Sequence, residues 1–201
     1  MPDQPDLQLN KCEAVAALTS PARRLHLAIL TAFTQTGQPP SRSELDAIAT
    51  GHGIDPAAAL AELGDRDVVT FDQRGEVRAA YPFSPRPTAH HVTWDGGPTV
   101  YAMCAIDALG ISAMIRHPVT ITTTEPDTHM AITVRVDNDT ATWDPATAVV
   151  YAAETGDACC PSADRTCGYI KFFTSPAAAR DWATRHPGSA TSDRPKPSAL
   201  T

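Results

Sequence analysis

Apolar positions along the chain fall into two regimes, helical spacing first and alternation later. From Ser20 the text reads SPARRLHLAILTAFTQTG, and Leu25, Ile29, Leu30 and Phe33 share one face at helical spacing. Ser20 before Pro21 fits an N-cap, and Gly37 with Pro39–Pro40 ends the helix. Ser41-Arg-Ser-Glu44 has the form of a capping box ahead of Leu45, Ile48 and Ala49. Asp55-Pro56 opens a third helix through Ala57, Leu60 and Leu63. VVTFDQRGEVRAAYPFS then reads as two strands around a turn at Asp72 to Gly75. Three short helices followed by a hairpin predict a winged-helix-like segment.

The second regime begins after Pro82. His90 to Trp94 reads as extended. YAMCAIDALGISAMIR predicts a helix starting near Thr99 or Val100, apolar nearly all round and therefore buried. HPVTITTTEPD, HMAITVRVDNDTATWDP, AVVYAAE and GYIKFFTS carry strand patterns, and CCPSADRTC reads as a loop. SPAAARDWATRHPG predicts a helix capped by Ser175, with Pro176 in its first turn and Gly188 past its end. The expectation is an α+β protein in which a mixed α/β region packs a buried helix on β-strands. The expected divisions are an N-terminal extension (1–19), a winged-helix-like domain (20–85), a second domain (86–187) and a disordered tail (188–201).

Composition narrows the function classes. The 201 residues carry 16 Lys+Arg against 23 Asp+Glu, a formal net charge of −7. Residues 1–90 hold 8 basic and 11 acidic side chains, and from Asp55 to Asp67 the only basic residue is Arg66. A third helix of that charge repels phosphate, so no nucleic-acid partner is expected. No apolar run approaches membrane-spanning length and the N-terminus lacks a secretory pattern, so a cytoplasmic protein with no membrane partner is expected.

The cysteines are Cys12, Cys104, Cys159, Cys160 and Cys167. An odd count in a reducing compartment argues against a disulfide framework. Cys-Cys, six residues, then Cys does not match structural zinc spacing. Cys104 and Asp107 lie three apart, on one face of the predicted helix, and a carboxylate there needs a partner or a purpose. Thiols from Cys104 and the later cluster, brought together, suit a soft metal of low coordination number such as mercury(II) or copper(I). Cys12 reads as structural or incidental, His90–His91 as a strand and interdomain feature rather than a ligand pair, and Trp94, Trp143 and Trp182 as packing anchors. Cys159 and Cys160 read either as metal-collecting thiols or as loop residues.

YAMCAIDALGI, followed some sixty residues later by Cys-x4-Phe-Phe from Cys167 to Phe173, resembles the organomercurial (alkylmercury) lyase family over roughly residues 20–187. The resemblance implies protonolysis of a carbon–mercury bond to give hydrocarbon and Hg(II). It assigns two cysteines, Cys104 and Cys167, and one aspartate, Asp107, as catalytic and mercury-holding residues, with Cys159 and Cys160 as further candidate thiols. It implies no resident cofactor, an organomercury substrate, low-molecular-weight thiols that accept Hg(II), and a mercuric reductase downstream. Where family members often follow the second cysteine with another, this chain has Gly168 after Cys167, and near Thr123 or Thr124 it lacks a further one found in some members. Chemically, the mercury ligand is a thiolate, and its supply is expected to depend on a lowered thiol pKa. An apolar wall of Ala102, Met103, Ile106, Leu109, Phe172 and Phe173 is expected to raise that of Asp107. The other reading is a soft-metal-binding or metal-responsive winged-helix protein without lyase chemistry. A lyase-like fold turned to another thiol-dependent reaction is a third.

Overall fold

In the computed structural model, residues 11–137, 140–152 and 167–186 are described. Four helices come first: α1 (Lys11–Ala16), α2 (Ser20–Thr36), α3 (Arg42–Gly51) and α4 (Pro56–Asp65). Strands β1 (Val69–Phe71), β2 (Val77–Ala80), β3 (Phe83–Ser84), β4 (His91–Thr93) and β5 (Val100–Ala102) precede helix α5 (Ala105–Ile115). Strands β6 (Val119–Thr124), β7 (Ala131–Asp137), β8 (Thr140–Asp144), β9 (Val149–Ala152) and β10 (Ile170–Phe173) and helix α6 (Pro176–Arg185) complete the order.

Local signals explain the helical part. The capping box at Ser41 and Glu44 forms as the sequence predicts, and Asp55 caps α4 by accepting from the Ala57 and Ala58 amides. For α2 the cap is Thr19, one residue before the expected Ser20. Thr19 is held from outside as well, because its amide and hydroxyl both donate to the Glu62 carboxylate at 2.9 and 2.5 Å. Gly37 ends α2 at φ 78°, and a Cβ there would meet the Thr99 carbonyl oxygen at 2.9 Å. Leu25, Ile29 and Phe33 of α2, Leu45 of α3 and Leu63 of α4 are fully buried.

The β1–β2 hairpin turns where expected, with Asp72 Oδ1 accepting from the Arg74 and Glu76 amides. Its sheet continues: eight strands run β1-β2-β3-β5-β4-β6-β7-β8, all pairs antiparallel. The sheet is thus unbroken across residue 85, and one hydrophobic core joins the helices of the first half to α5 and β10. Within it, Phe33 of α2 stacks on Phe83 of β3 at 5.0 Å.

Two expectations about the central helix are corrected. It starts at Ala105, since Val100, Tyr101 and Ala102 pair with β3 and β4 as strand β5. Tertiary pairing overrides the local helical pattern there. Its burial is one-sided: Ala105, Ala108, Ile111 and Ser112 are buried, whereas Gly110, Ala113 and Met114 face solvent.

Strands β9 and β10 form a separate two-stranded antiparallel sheet. Alternation gives it two apolar faces. Val150, Ile170 and Phe172 enter the main core, while Val149, Tyr151 and Phe173 meet Ala179, Trp182 and Ala183 of α6 in a small second core. Ser175 caps α6 as predicted; Gly188 and the tail lie outside the described residues. Among the described residues, no helix is long and apolar enough to cross a membrane.

Candidate active site

Cys104 follows β5 directly and sits in extended backbone (φ −152°, ψ 178°) as the N-cap of α5. The expectation of two groups within one helix is therefore corrected to a cap and a first-turn residue. Asp107 occupies that first turn, and its amide donates to Cys104 Sγ at 3.4 Å. The thiol donates back to Asp107 Oδ2 at 3.0 Å. Sheet pairing of β5 fixes the cap, and the helical turn carries the carboxylate to it.

Cys167 arrives from the other side, on a single 3-10 turn (Cys167–Tyr169) leading into β10. Its sulfur lies 4.0 Å from the same Asp107 Oδ2. One ligand atom each from Cys104, Asp107 and Cys167 falls within 4.8 Å of the others, and this is the one group of three or more His, Cys, Asp or Glu so placed among the described residues. Both sulfurs are buried, Cys104 at 2% exposure and Cys167 at 7%. The structure thus brings together the three residues singled out from the sequence. Cys159 and Cys160 lie outside the described residues, and Cys12 is exposed.

The electrostatics correct one expectation. A cysteine at a helix N-terminus ordinarily has a lowered pKa. The Cys104 thiol is instead pushed well above its usual value, first by its hydrogen bond with Cys167, then by burial and by the negative Asp107. Asp107 is pushed up to about 6 by burial, against the opposing pull of the Cys104 hydrogen bond and the positive Lys11. Near neutral pH the resting pair is therefore a thiol donating to a carboxylate. Lys11 had no signal in the sequence: its ammonium is paired with Asp67 Oδ2 at 2.5 Å and stands 4.6 Å from the centre of the Tyr81 ring.

The apolar surround is close to the expected one, with one exception. Ala102 and Phe172 are fully buried, and Met103, Ile106 and Leu109 pack partly buried against the same core. Phe173 points away and packs on Tyr151 and Trp182, since neighbouring strand residues face opposite sides. His90 is buried behind Phe172, edge-on at 5.5 Å, with Nδ1 3.0 Å from Thr123 Oγ1. Burial, then Lys171 and His91, lowers its pKa to about 4, so it is neutral. Its strand neighbour His91 is exposed and meets Tyr101 edge-on. Trp143 packs on Phe172 and Trp182 anchors the small core.

A sequence profile of the alkylmercury lyase (MerB) family matches residues 83–200, which hold all three residues of the cluster. The chain belongs to the alkylmercury lyase family. An alkylmercury lyase of Bacillus cereus is 37% identical over 123 residues, 60% of this chain and 54% of that relative. The match thus spans about half the length of that relative. An alkylmercury lyase of Streptomyces lividans is 29% identical over 189 residues, covering 85% and 86% of the two chains. Among solved structures, the mercury-bound form of MerB2 superposes with a TM-score of 0.74 at 23% identity, over 94% of this chain and 88% of the other. At that identity the superposition establishes a shared mixed α+β alkylmercury lyase fold.

Proposed function

We propose that this member of the alkylmercury lyase family cleaves carbon–mercury bonds by protonolysis, using Cys104, Cys167 and Asp107. The observation that carries the proposal is the position of Asp107 Oδ2, 3.0 Å from one buried sulfur and 4.0 Å from the other.

The proton count follows from the resting state. The substrate is R–Hg–X, with X a solution thiolate. Cys104 passes its proton to Asp107 and its thiolate displaces X from mercury. Cys167 loses its proton to the departing X and becomes the second sulfur on the metal. Two sulfurs donate electron density toward the mercury-bound carbon. Asp107, now a carboxylic acid, gives its proton to that carbon as the bond breaks. The products are R–H, HX and Hg(II) held by two cysteines, and Asp107 returns to its ionised form. The raised pKa values serve this sequence: a buried thiol keeps its proton until mercury replaces it, and a carboxyl near 6 both accepts and releases it readily.

Mercury is substrate and product here, and the reading assigns no resident cofactor. It assigns release of Hg(II) to low-molecular-weight thiols, a mercuric reductase as their downstream acceptor, and a cytoplasmic setting. Residues 20–85 act as a winged-helix-like scaffold without DNA binding, in keeping with an α4 that has Glu62 and Asp65 and no Lys or Arg. Residues 86–187 supply the reacting groups.

Phenylmercury with excess thiol tests the proposal. The expected result is catalytic release of benzene, abolished by Cys104→Ser, Cys167→Ser and Asp107→Asn and retained in Cys12→Ser. A folded, reduced protein that binds phenylmercury and releases no benzene would instead be a soft-metal binder. An active Cys167→Ser with an inactive Cys159→Ser would move the second sulfur to Cys159.

A further inference from the structure

Among the described residues, Cys167 is carried by a part of the fold that shares no backbone ladder with the part carrying Cys104. Strands β9 and β10 hydrogen-bond to each other, while β5 belongs to the eight-stranded sheet. The two-stranded unit docks on the main body through Val150, Ile170 and Phe172, and Phe172 rests against His90 and Trp143. Apolar packing of that kind holds surfaces together without fixing direction. Something directional must set where β10 stops.

Glu125 supplies it. It follows β6 immediately and is buried, at 4% exposure. Its Oε2 accepts from the Thr174 amide at 2.7 Å and from the Thr174 hydroxyl at 2.6 Å, and its Oε1 accepts from the Thr128 hydroxyl at 2.7 Å. Thr174 is the residue directly after β10. Its carbonyl is held in turn by the Thr147 hydroxyl at 2.7 Å. Both hydrogen-bonding ends of the residue directly after β10, the strand that follows the Cys167 turn, are therefore occupied. One carboxylate joins it to the end of β6, a strand of the same sheet as β5. A second tie between the same turn and α6, Asp127 to Arg185 at 2.6 Å, is solvent-exposed and correspondingly weak.

We propose that Glu125 is a positioning residue for Cys167: its clamp on Thr174 sets the placement of β10 against the main body and hence the approach of the second sulfur to the first. The inference rests on the two-sulfur reading above. Glu125 touches neither mercury nor substrate and acts through the strand. A strand displaced by about an ångström is enough to cost a reacting site roughly a hundredfold, so loss of this clamp weakens chelation without unfolding the chain.

The test uses mercury(II) chloride and no organomercurial, which separates it from the lyase reaction. Protein with Cys12, Cys159 and Cys160 replaced by serine is loaded with one equivalent of Hg(II) and challenged with excess glutathione. Release moves mercury from two protein thiolates to two glutathione thiolates, whose protons pass to the protein sulfurs. Glu125→Leu is expected to speed release at least tenfold. Glu125→Gln, whose amide oxygen still accepts from Thr174, is expected to restore most of the retention. Added to Cys167→Ser, Glu125→Leu should cause no further acceleration, because the sulfur it positions is gone. Should Glu125→Leu lower the folded fraction, Thr174→Val removes one of the three hydrogen bonds and is expected to move release the same way. A folded Glu125→Leu protein that holds mercury like its parent, or one that accelerates release equally in the Cys167→Ser background, overturns this role alone. Equal release from the parent and from Cys167→Ser overturns the two-sulfur reading, and this role with it.

Discussion

Asp107 and Cys104 are joined twice, by an amide donating to sulfur at 3.4 Å and by a thiol donating to a carboxylate oxygen at 3.0 Å. The first bond is a helix cap and the second is a stored proton. One local motif thus does both structural and chemical work, and separating the two is informative.

Replacing Asp107 by asparagine should keep the cap and lose the chemistry. Its pKa rises from 3.8 to about 6 on folding, with burial the main cause. A carboxyl whose folded value is raised binds more protons folded than unfolded between those values, so its cost to stability grows as pH rises from about 4 to 6 and is fully present at pH 7. Removing the ionisable group relieves that cost, on the order of 1–3 kcal/mol. Asp107→Asn is therefore expected to release no benzene and to melt higher than wild type at pH 7, with the gain shrinking toward pH 4. Calorimetry across that range checks the sign.

The pH dependence of turnover distinguishes where the proton comes from. An acid that had to be protonated before substrate bound would lose activity above its pKa of about 6. Here the proton is held by Cys104, whose pKa is well above its usual value. The expected kcat/KM for phenylmercury therefore rises as Asp107 ionises near pH 6 and is level from pH 7 to 8. A tenfold fall per unit across that window would place the proton on Asp107 at rest.

His90 should make the fold acid-sensitive. Burial lowers its pKa to about 4, so the unfolded chain takes up a proton at higher pH than the folded one. The stability of the neutral state is intact above about 6.5 and is lost as pH falls through the interval to 4, by roughly 3 kcal/mol in total. His90→Gln is expected to flatten this slope in urea titrations at pH 7, 5.5 and 4.5.

Gly37 meets two requirements at once, a left-handed turn and a close approach to the strand that leads to Cys104. Gly37→Ala places a methyl group 2.9 Å from the Thr99 carbonyl oxygen at φ 78°. A loss of about 1–3 kcal/mol is expected, read as a lower urea midpoint.

Much of this was legible in the chain because local rules govern it. Ser41–Glu44, Asp55–Pro56 and the turn at Asp72 announce themselves through caps and turn chemistry, and the alternation in VTITTT and AITVRVD gives strands. Cys104 and Asp107 were legible as a pair, and Cys167 through its spacing to Phe172 and Phe173. The start of α5 was not, because pairing of Val100 to Ala102 with strands distant in sequence outweighs their helical pattern. Nor could spacing reveal the raised pKa of Cys104, which depends on the convergence of Cys167 and Asp107 on one sulfur. Lys11 and Glu125 were silent for the same reason: each acts on residues far along the chain.

The central claim is that this cluster transfers a proton to mercury-bound carbon and keeps the metal. A single turnover in D2O tests it directly: one equivalent of phenylmercury, no added thiol, with headspace analysis and native mass spectrometry on the same sample. The expected result is one equivalent of monodeuterated benzene and a protein heavier by mercury alone. A protein heavier by intact phenylmercury, with no benzene formed, would contradict it.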